Sequence, residues 1–236
     1  MKIGLASYKF INNDISFNIS QMEKAIIECH NNVDLLCFGE TFLQGFDCLN
    51  WDYENDKKIA VSQNSPVIKR IKDLSIKYNI DLAFGYIEKE KDILYSSFVV
   101  IVKGKITFNY RRITQNWKEY SKTDYHYQEG KHVSSLVYHG KRITIGLCGD
   151  LWLMPEKFKT DNLVIWPIYV NFTLNEWLIE ENNYALQANL VSKNVLMVNS
   201  ISDNPNSLGG SFYFKNGKIE QKLDFGKEAV LIIEIN

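Results

Sequence analysis

Val33-Asp34-Leu35-Leu36-Cys37-Phe38-Gly39-Glu40-Thr41 begins as an almost wholly apolar run and stops abruptly at a glycine and a carboxylate. The run from Val33 to Phe38 reads as a buried strand. Upstream of it lie a strand from Ile3 to Tyr8 and a helix from Phe17 to His30, whose Ile19, Met22, Ala25, Ile26 and Cys29 recur at helical spacing. Downstream, Pro66 suits a first helical turn, and Val67 to Tyr78 continues as a helix with Ile68, Ile71, Leu74 and Ser75 on one face. Ile80 to Glu88 is the next strand.

The pattern then changes. Tyr95 to Lys103 and Lys105 to Arg111 pair as a hairpin about Gly104, and Ser134 to Tyr138 pairs with Arg142 to Leu147 about His139-Gly140. Between the two hairpins, Arg112 to Gly130 is a long polar and aromatic loop, uncommon in a compact domain and often functional. A strand from Leu163 to Pro167, a helix from Glu176 to Lys193 and a strand from Val195 to Ser200 follow. Gly210 to Lys215 pairs with Gly217 to Gln221 across Asn216-Gly217, a strong hairpin dipeptide, and Leu231 to Ile235 is a last strand. Alternating β and α units mixed with hairpins predict a layered α/β sandwich with some antiparallel pairing. A four-layer α-β-β-α arrangement fits, although periodicity alone does not choose it over a three-layer sheet.

The 236 residues, with no linker or repeat, are expected to form one domain spanning 1–236. With 27 basic and 28 acidic residues and no long block of like charge, nothing argues for a nucleic-acid or membrane partner. No apolar run approaches the ~18–20 residues a membrane span needs, and the N-terminus lacks the pattern of a secretory signal. Cys29, Cys37, Cys48 and Cys148 match no zinc or redox spacing. Free thiols in a reducing cytoplasm are the expectation, with no metal site.

Three of these strands end in reactive or strongly polar residues: Gly39-Glu40-Thr41, Tyr110-Arg111-Arg112, and Leu147-Cys148-Gly149-Asp150. Loops at strand ends converge on one crevice, which is where α/β proteins build sites. A thiol, a carboxylate and a cation are the parts that amide hydrolysis requires. The carboxylate takes the thiol proton, and backbone N–H groups or a fixed cation hold the oxyanion. Gly149, directly after the thiol, permits close backbone approach. Each residue also has a plainer reading. A cysteine at the end of an apolar strand is most often core, Glu40 could cap a following turn, and paired arginines are usually surface charges on an edge strand.

Together the segments resemble the nitrilase superfamily, the carbon–nitrogen hydrolases, over nearly the whole chain. Leu35 to Phe46 (LLCFGETFLQGF) resembles that family's first motif, which carries the general-base glutamate. Ile80 to Gly85 followed by Tyr95-Ser96-Ser97 resembles the next segment. Tyr110-Arg111-Arg112 stands where the family usually has Tyr-Arg-Lys, and Gly146 to Trp152 (GLCGDLW) resembles the nucleophile motif. Trp177, Ala185 to Asn189, Val198-Asn199-Ser200, Gly209-Gly210-Ser211 and Asn216-Gly217 resemble the elements that follow. The resemblance implies an α-β-β-α sandwich, a homodimer or higher homo-oligomer formed through a helical face, and a cofactor-free Glu-Lys-Cys mechanism.

On that basis Glu40 is the expected base and Cys148 the nucleophile, attacking a small-molecule amide or N-carbamoyl substrate to give a thioester. Gly149 is the expected oxyanion donor, with Trp117 and Asp150 as further oxyanion or substrate contacts. The family lysine is replaced by Arg112, a poor proton donor because its pKa exceeds ~12. Either Arg112 acts electrostatically or Lys118 reaches back from the loop. Glu119, with Asp124 second, is the candidate for the additional glutamate that many family members carry before a glycine equivalent to Gly130. A catalytically impaired binding module on the same scaffold is the alternative, supported by the missing lysine. An activated Cys148 is expected to alkylate faster than the other cysteines and to show a depressed thiol pKa.

Overall fold

The computed structural model describes residues 1–235. The first half of the chain runs β1 (Lys2–Ser7), α1 (Ile15–Cys29), β2 (Leu35–Cys37), α2 (Tyr53–Ile59), α3 (Pro66–Tyr78), β3 (Asp81–Glu90), β4 (Ile93–Val102) and β5 (Lys105–Arg111). The second half runs β6 (Ser135–Tyr138), β7 (Lys141–Ile145), α4 (Asp150–Leu153), α5 (Pro155–Phe158), β8 (Leu163–Ile168), α6 (Leu174–Val191), β9 (Asn194–Asp203), β10 (Asn206–Lys215), β11 (Lys218–Lys222) and β12 (Ala229–Glu234).

These strands form two six-stranded sheets, in the orders β12-β1-β2-β3-β4-β5 and β11-β10-β9-β8-β7-β6. Within each, three successive strands are parallel: β1, β2 and β3 in the first, β7, β8 and β9 in the second. Parallel neighbours require a crossover connection, which α1 and α3 supply on one side and α4, α5 and α6 on the other. The remaining pairs are antiparallel. Three of the hairpins turn at dipeptides in which both residues have positive φ, Lys103-Gly104, His139-Gly140 and Asn216-Gly217, the geometry that matches the twist of the flanking strands.

Side-chain alternation along β2 explains its continuous apolarity. Leu35 and Cys37 point into the core between the sheets, with Ile3, Leu5, Ile143, Ile145, Ile165 and Val198. Leu36 and Phe38 point the other way, into a second core with Ile19, Met22 and Ile26 of α1 and Ile68 and Ile71 of α3. Both faces are buried, so both parities are apolar. Trp177, Tyr184, Ala185 and Ala188 of α6 cover the outer face of the second sheet. The result is a four-layer α-β-β-α sandwich.

The helices start where capping chemistry allows. Asp14 accepts from the Phe17 N–H, Ser65 from the Ile68 N–H ahead of Pro66, and Thr173 with Glu176 forms a reciprocal capping box. Among the described residues no helix is long and apolar enough to cross a membrane. The opposite face of α6 remains apolar and exposed, through Leu174, Leu178, Ile179, Leu186 and Leu190.

The long loop after β5 is closed at its neck, where the Gly130 N–H donates to the Arg112 carbonyl at 2.8 Å. It is pinned along β4 by Leu94 N–H to the His126 carbonyl and Gln128 N–H to the Leu94 carbonyl. Its own aromatic residues, Trp117 and Tyr127, pack with Cys48, Ala60, Ile87 and Leu94 in a small third cluster.

Candidate active site

β2 delivers Glu40 to the C-terminal end of the first sheet. The turn that carries it lies directly on β3: a Cβ at Gly85 would come within 2.7 Å of the Glu40 Cα and would overlap the Thr41 nitrogen, so only glycine fits there. The Glu40 N–H donates to the Ile168 carbonyl at 3.2 Å, tying this turn to the second sheet. The Glu40 side chain is 1% exposed. Its Oε1 accepts from Arg112 Nη1 at 2.8 Å and from Ser96 Oγ at 3.4 Å. Its Oε2 is buried with no nitrogen or oxygen partner among the described residues.

Cys148 follows β7 at the corresponding end of the second sheet. Its φ of +41° is a left-handed conformation that a non-glycine residue adopts at a cost of about 1 kcal/mol or more. The surroundings hold it there: its N–H donates to the Pro167 carbonyl at 2.9 Å, and its carbonyl accepts from Trp166 Nε1 at 2.8 Å. It is the one cysteine of the four that is not fully buried. The sulfur neighbours Glu40, the Arg112 charge and the backbone N–H of Tyr169.

The electrostatics of the site oppose one expectation. The Cys148 thiol is pushed up to about 12, first by burial and then by the Glu40 charge, with Arg112 and the Tyr169 N–H only partly offsetting them. The thiol is therefore raised rather than depressed, because a carboxylate beside a buried sulfur disfavours a second anion. Burial also raises Glu40 above the ordinary carboxylate range, against the pull of Arg112. Desolvation pulls Arg112 down, but the neighbouring acidic groups, Glu40 first, outweigh it and leave the guanidinium firmly charged. The resting site holds a neutral thiol beside the hydrogen-bonded Glu40–Arg112 pair.

Asp150 braces the site. Fully buried, it accepts from Tyr110 Oη at 2.7 Å, the Leu147 N–H at 3.0 Å, the Thr114 N–H at 2.9 Å, Thr114 Oγ1 at 2.8 Å and the Ile113 N–H at 3.2 Å. Those five bonds clamp the end of β5 to the turn that carries Cys148. A carboxylate so fully engaged has its capacity committed inside the protein, not toward a substrate.

The other sequence-derived candidates separate. Arg112 is 2% exposed and binds Glu40. Lys118 instead ion-pairs with Glu129 at 2.7 Å and donates to the Tyr127 carbonyl. Among the described residues it makes no hydrogen bond or ion pair with Glu40, Arg112 or Cys148. Trp117 is 7% exposed within the third cluster. Glu119 is exposed and, among the described residues, hydrogen-bonds through its backbone carbonyl alone, while Asp124 is bound to the ring and N–H of His126. Gly149 lies directly against the Arg112 guanidinium. The sequence reading missed Glu129, Asn116, Thr114 and the Tyr169 N–H; none of these sits at a strand end in a recognisable pattern, and a backbone donor leaves no sequence signal.

A family model described as carbon-nitrogen hydrolase matches residues 2–236. An (R)-stereoselective amidase from Pseudomonas sp is 25% identical over 156 residues, 66% of this chain and 54% of the relative. A probable nitrilase from Schizosaccharomyces pombe is 26% identical over 108 residues, 42% of this chain and 38% of the relative. The chain thus aligns with about half or less of the length of these relatives. Among solved structures, the CN-hydrolase superfamily protein XC1258 from Xanthomonas campestris superposes with a TM-score of 0.79 at 16% identity, over 100% of this chain and 90% of that one. The amidase from Nesterenkonia sp. AN1, in a form carrying acrylamide on its active-site cysteine, gives 0.78 at 14% identity, over 100% and 93%. These likenesses establish the fold.

Proposed function

Because the chain belongs to the carbon–nitrogen hydrolase family, we propose that it hydrolyses a small amide or N-carbamoyl compound through a thioester on Cys148. One observation carries the reading: Glu40 spends Oε1 on Arg112 and, among the described residues, leaves Oε2 with no nitrogen or oxygen partner in the buried site it shares with the Cys148 thiol.

Glu40 Oε2 accepts the Cys148 proton as sulfur attacks the carbonyl carbon, so no free thiolate accumulates. The Gly149 N–H and the Arg112 guanidinium hold the oxyanion. Arg112 keeps its proton, so the carboxylic acid formed on Glu40 passes the thiol proton to the leaving nitrogen. The amine departs and a thioester remains. Glu40, again a carboxylate, then takes a proton from water as the water attacks the thioester, and returns it to the sulfur. Glu119 has no part in this scheme, and Lys118 with Glu129 braces the loop.

The alternative is a binding module with the same scaffold. Its support is the substitution at Arg112, a cation with no proton to exchange. A panel of ω-amides, N-carbamoyl amino acids and small aliphatic amides, assayed for ammonia release, decides between them. Turnover that disappears in Cys148→Ala is the expected result; ligand binding with no turnover across the panel overturns the hydrolase reading. We also place the expected homo-oligomer contact on the exposed apolar face of α6, with a second copy of the chain as its occupant.

A further inference from the structure

Arg112 has three side-chain partners. Nε donates to Thr114 Oγ1 at 3.0 Å, Nη1 to Glu40 Oε1 at 2.8 Å, and Nη2 to Asn116 Oδ1. Thr114 donates its own hydroxyl to Asp150 at 2.8 Å, so two of the three partners belong to the clamped core of the site. The third, Asn116, is an exposed loop residue. A guanidinium has no acceptor, which fixes the amide orientation with Oδ1 toward Arg112.

The same two side chains cover Gly149. A Cβ there would overlap Arg112 Nη2 and lie 2.6 Å from both Asn116 Oδ1 and Nδ2. The second terminal nitrogen of the guanidinium, which a lysine lacks, therefore occupies the space that a side chain at position 149 would take. We propose that Asn116 is a positioning residue that closes the Arg112 guanidinium over Gly149, and that the bare Cα of Gly149 is what admits an arginine beside the nucleophile. The inference rests on the reading of Cys148 as nucleophile and deepens it. The cation, the residue after the nucleophile and one loop amide form a single unit, and a change in one alters the tolerance for the others.

A planar group held on three sides keeps one orientation. Without Asn116 the Nη2 end loses its partner and the guanidinium swings from the sulfur that its charge helps to stabilise as an anion. That effect is read without knowing the substrate, as the pH dependence of Cys148 alkylation by iodoacetamide, located by peptide mass. Asn116→Ala is expected to slow alkylation at pH 8 by about threefold, a displacement of the profile by about half a pH unit, with thermal stability unchanged. In an Arg112→Lys background the same change is expected to have no effect. Gly149→Ala is expected to slow alkylation with Arg112 and Asn116 present and to have no further effect once Arg112→Lys and Asn116→Ala have cleared both overlapping side chains. Equal effects of Asn116→Ala in the wild-type and Arg112→Lys backgrounds, or a Gly149→Ala defect that persists in the Arg112→Lys, Asn116→Ala background, overturn the proposal. Failure of the hydrolase reading would show separately, as no turnover in the wild-type protein, while the alkylation comparison still stands.

Discussion

Tyr110 donates its hydroxyl to Asp150 at 2.7 Å, joining the end of β5 to the turn that carries Cys148. Both residues are buried, and Asp150 gathers four further donors from Leu147, Ile113 and Thr114. Removing Tyr110 Oη leaves the carboxylate four donors, whereas removing the carboxylate strands five. Tyr110→Phe is therefore expected to cost about 1–2 kcal/mol and Asp150→Ala about 3–5 kcal/mol in urea unfolding. Equal losses for the two would show that Asp150 is no clamp.

Glu40 is the second cause, after burial, of the raised Cys148 thiol. Glu40→Gln removes that negative charge and leaves Arg112 unopposed, so the thiol pKa falls below about 12. Alkylation of Cys148 at pH 8 is expected to rise, about tenfold for each unit of fall. Amide turnover is expected to drop about 10²–10⁴-fold for want of the base. Slower alkylation would mean that Glu40 already holds the sulfur as an anion at rest.

The acid side of the pH profile follows from the same pair. Catalysis needs the Glu40 carboxylate, and burial raises its pKa. Activity is present above that raised value and is lost as the pH falls through it, so the acid limb of kcat/KM should lie above the ordinary glutamate value of about 4.3. A limb at or below that value would show that Arg112 dominates burial.

Glu40 and Cys148 were legible because each ends an apolar run, and a strand end in an α/β sheet can be located from pattern alone. The choice between Arg112 and Lys118 was not legible. Arg112 follows β5 directly, so the sheet places it. Lys118 depends on how the loop folds, which Trp117 and Tyr127 decide by packing against Cys48 and Leu94, contacts distant in sequence. Asp150 was visible as a residue, but four of the five donors that commit it come from residues 110–114, distant in sequence. The fold was legible through the alternation along β2 and the hairpin dipeptides. α2 was not, since only Asp56 of it is buried and it presents no apolar stripe.

Glu88 offers a test of the neighbouring arginine. Arg111 grips it with Nε at 2.7 Å and Nη2 at 2.9 Å, and Ser97, Asn109 and Gln63 complete its shell. Burial raises Glu88, but these donors outweigh it and leave its pKa lowered. A carboxylate depressed in the folded state stabilises above its unfolded value of about 4.3, and that contribution is lost as the pH falls through the folded value. Glu88→Gln is expected to cost about 3 kcal/mol at pH 7, with the gap from wild type closing below about pH 4. A gap independent of pH would assign the loss to packing.

The exposed face of α6 predicts association. Leu178 is 57% exposed, Ile179 69% and Leu186 62%, on a helix whose other face is fixed by Trp177 and Tyr184. A concentration of exposed apolar side chains on one helix marks a contact surface, and each such side chain contributes about 1.5–3 kcal/mol when covered. The side chains are free in the single chain, so Leu178→Glu with Leu186→Glu should leave the fold unharmed. Light scattering after size exclusion is expected to give a multiple of 27.4 kDa for the wild type and 27.4 kDa for the double variant. A wild-type protein already at 27.4 kDa at micromolar concentration would remove the second copy as the occupant of this face.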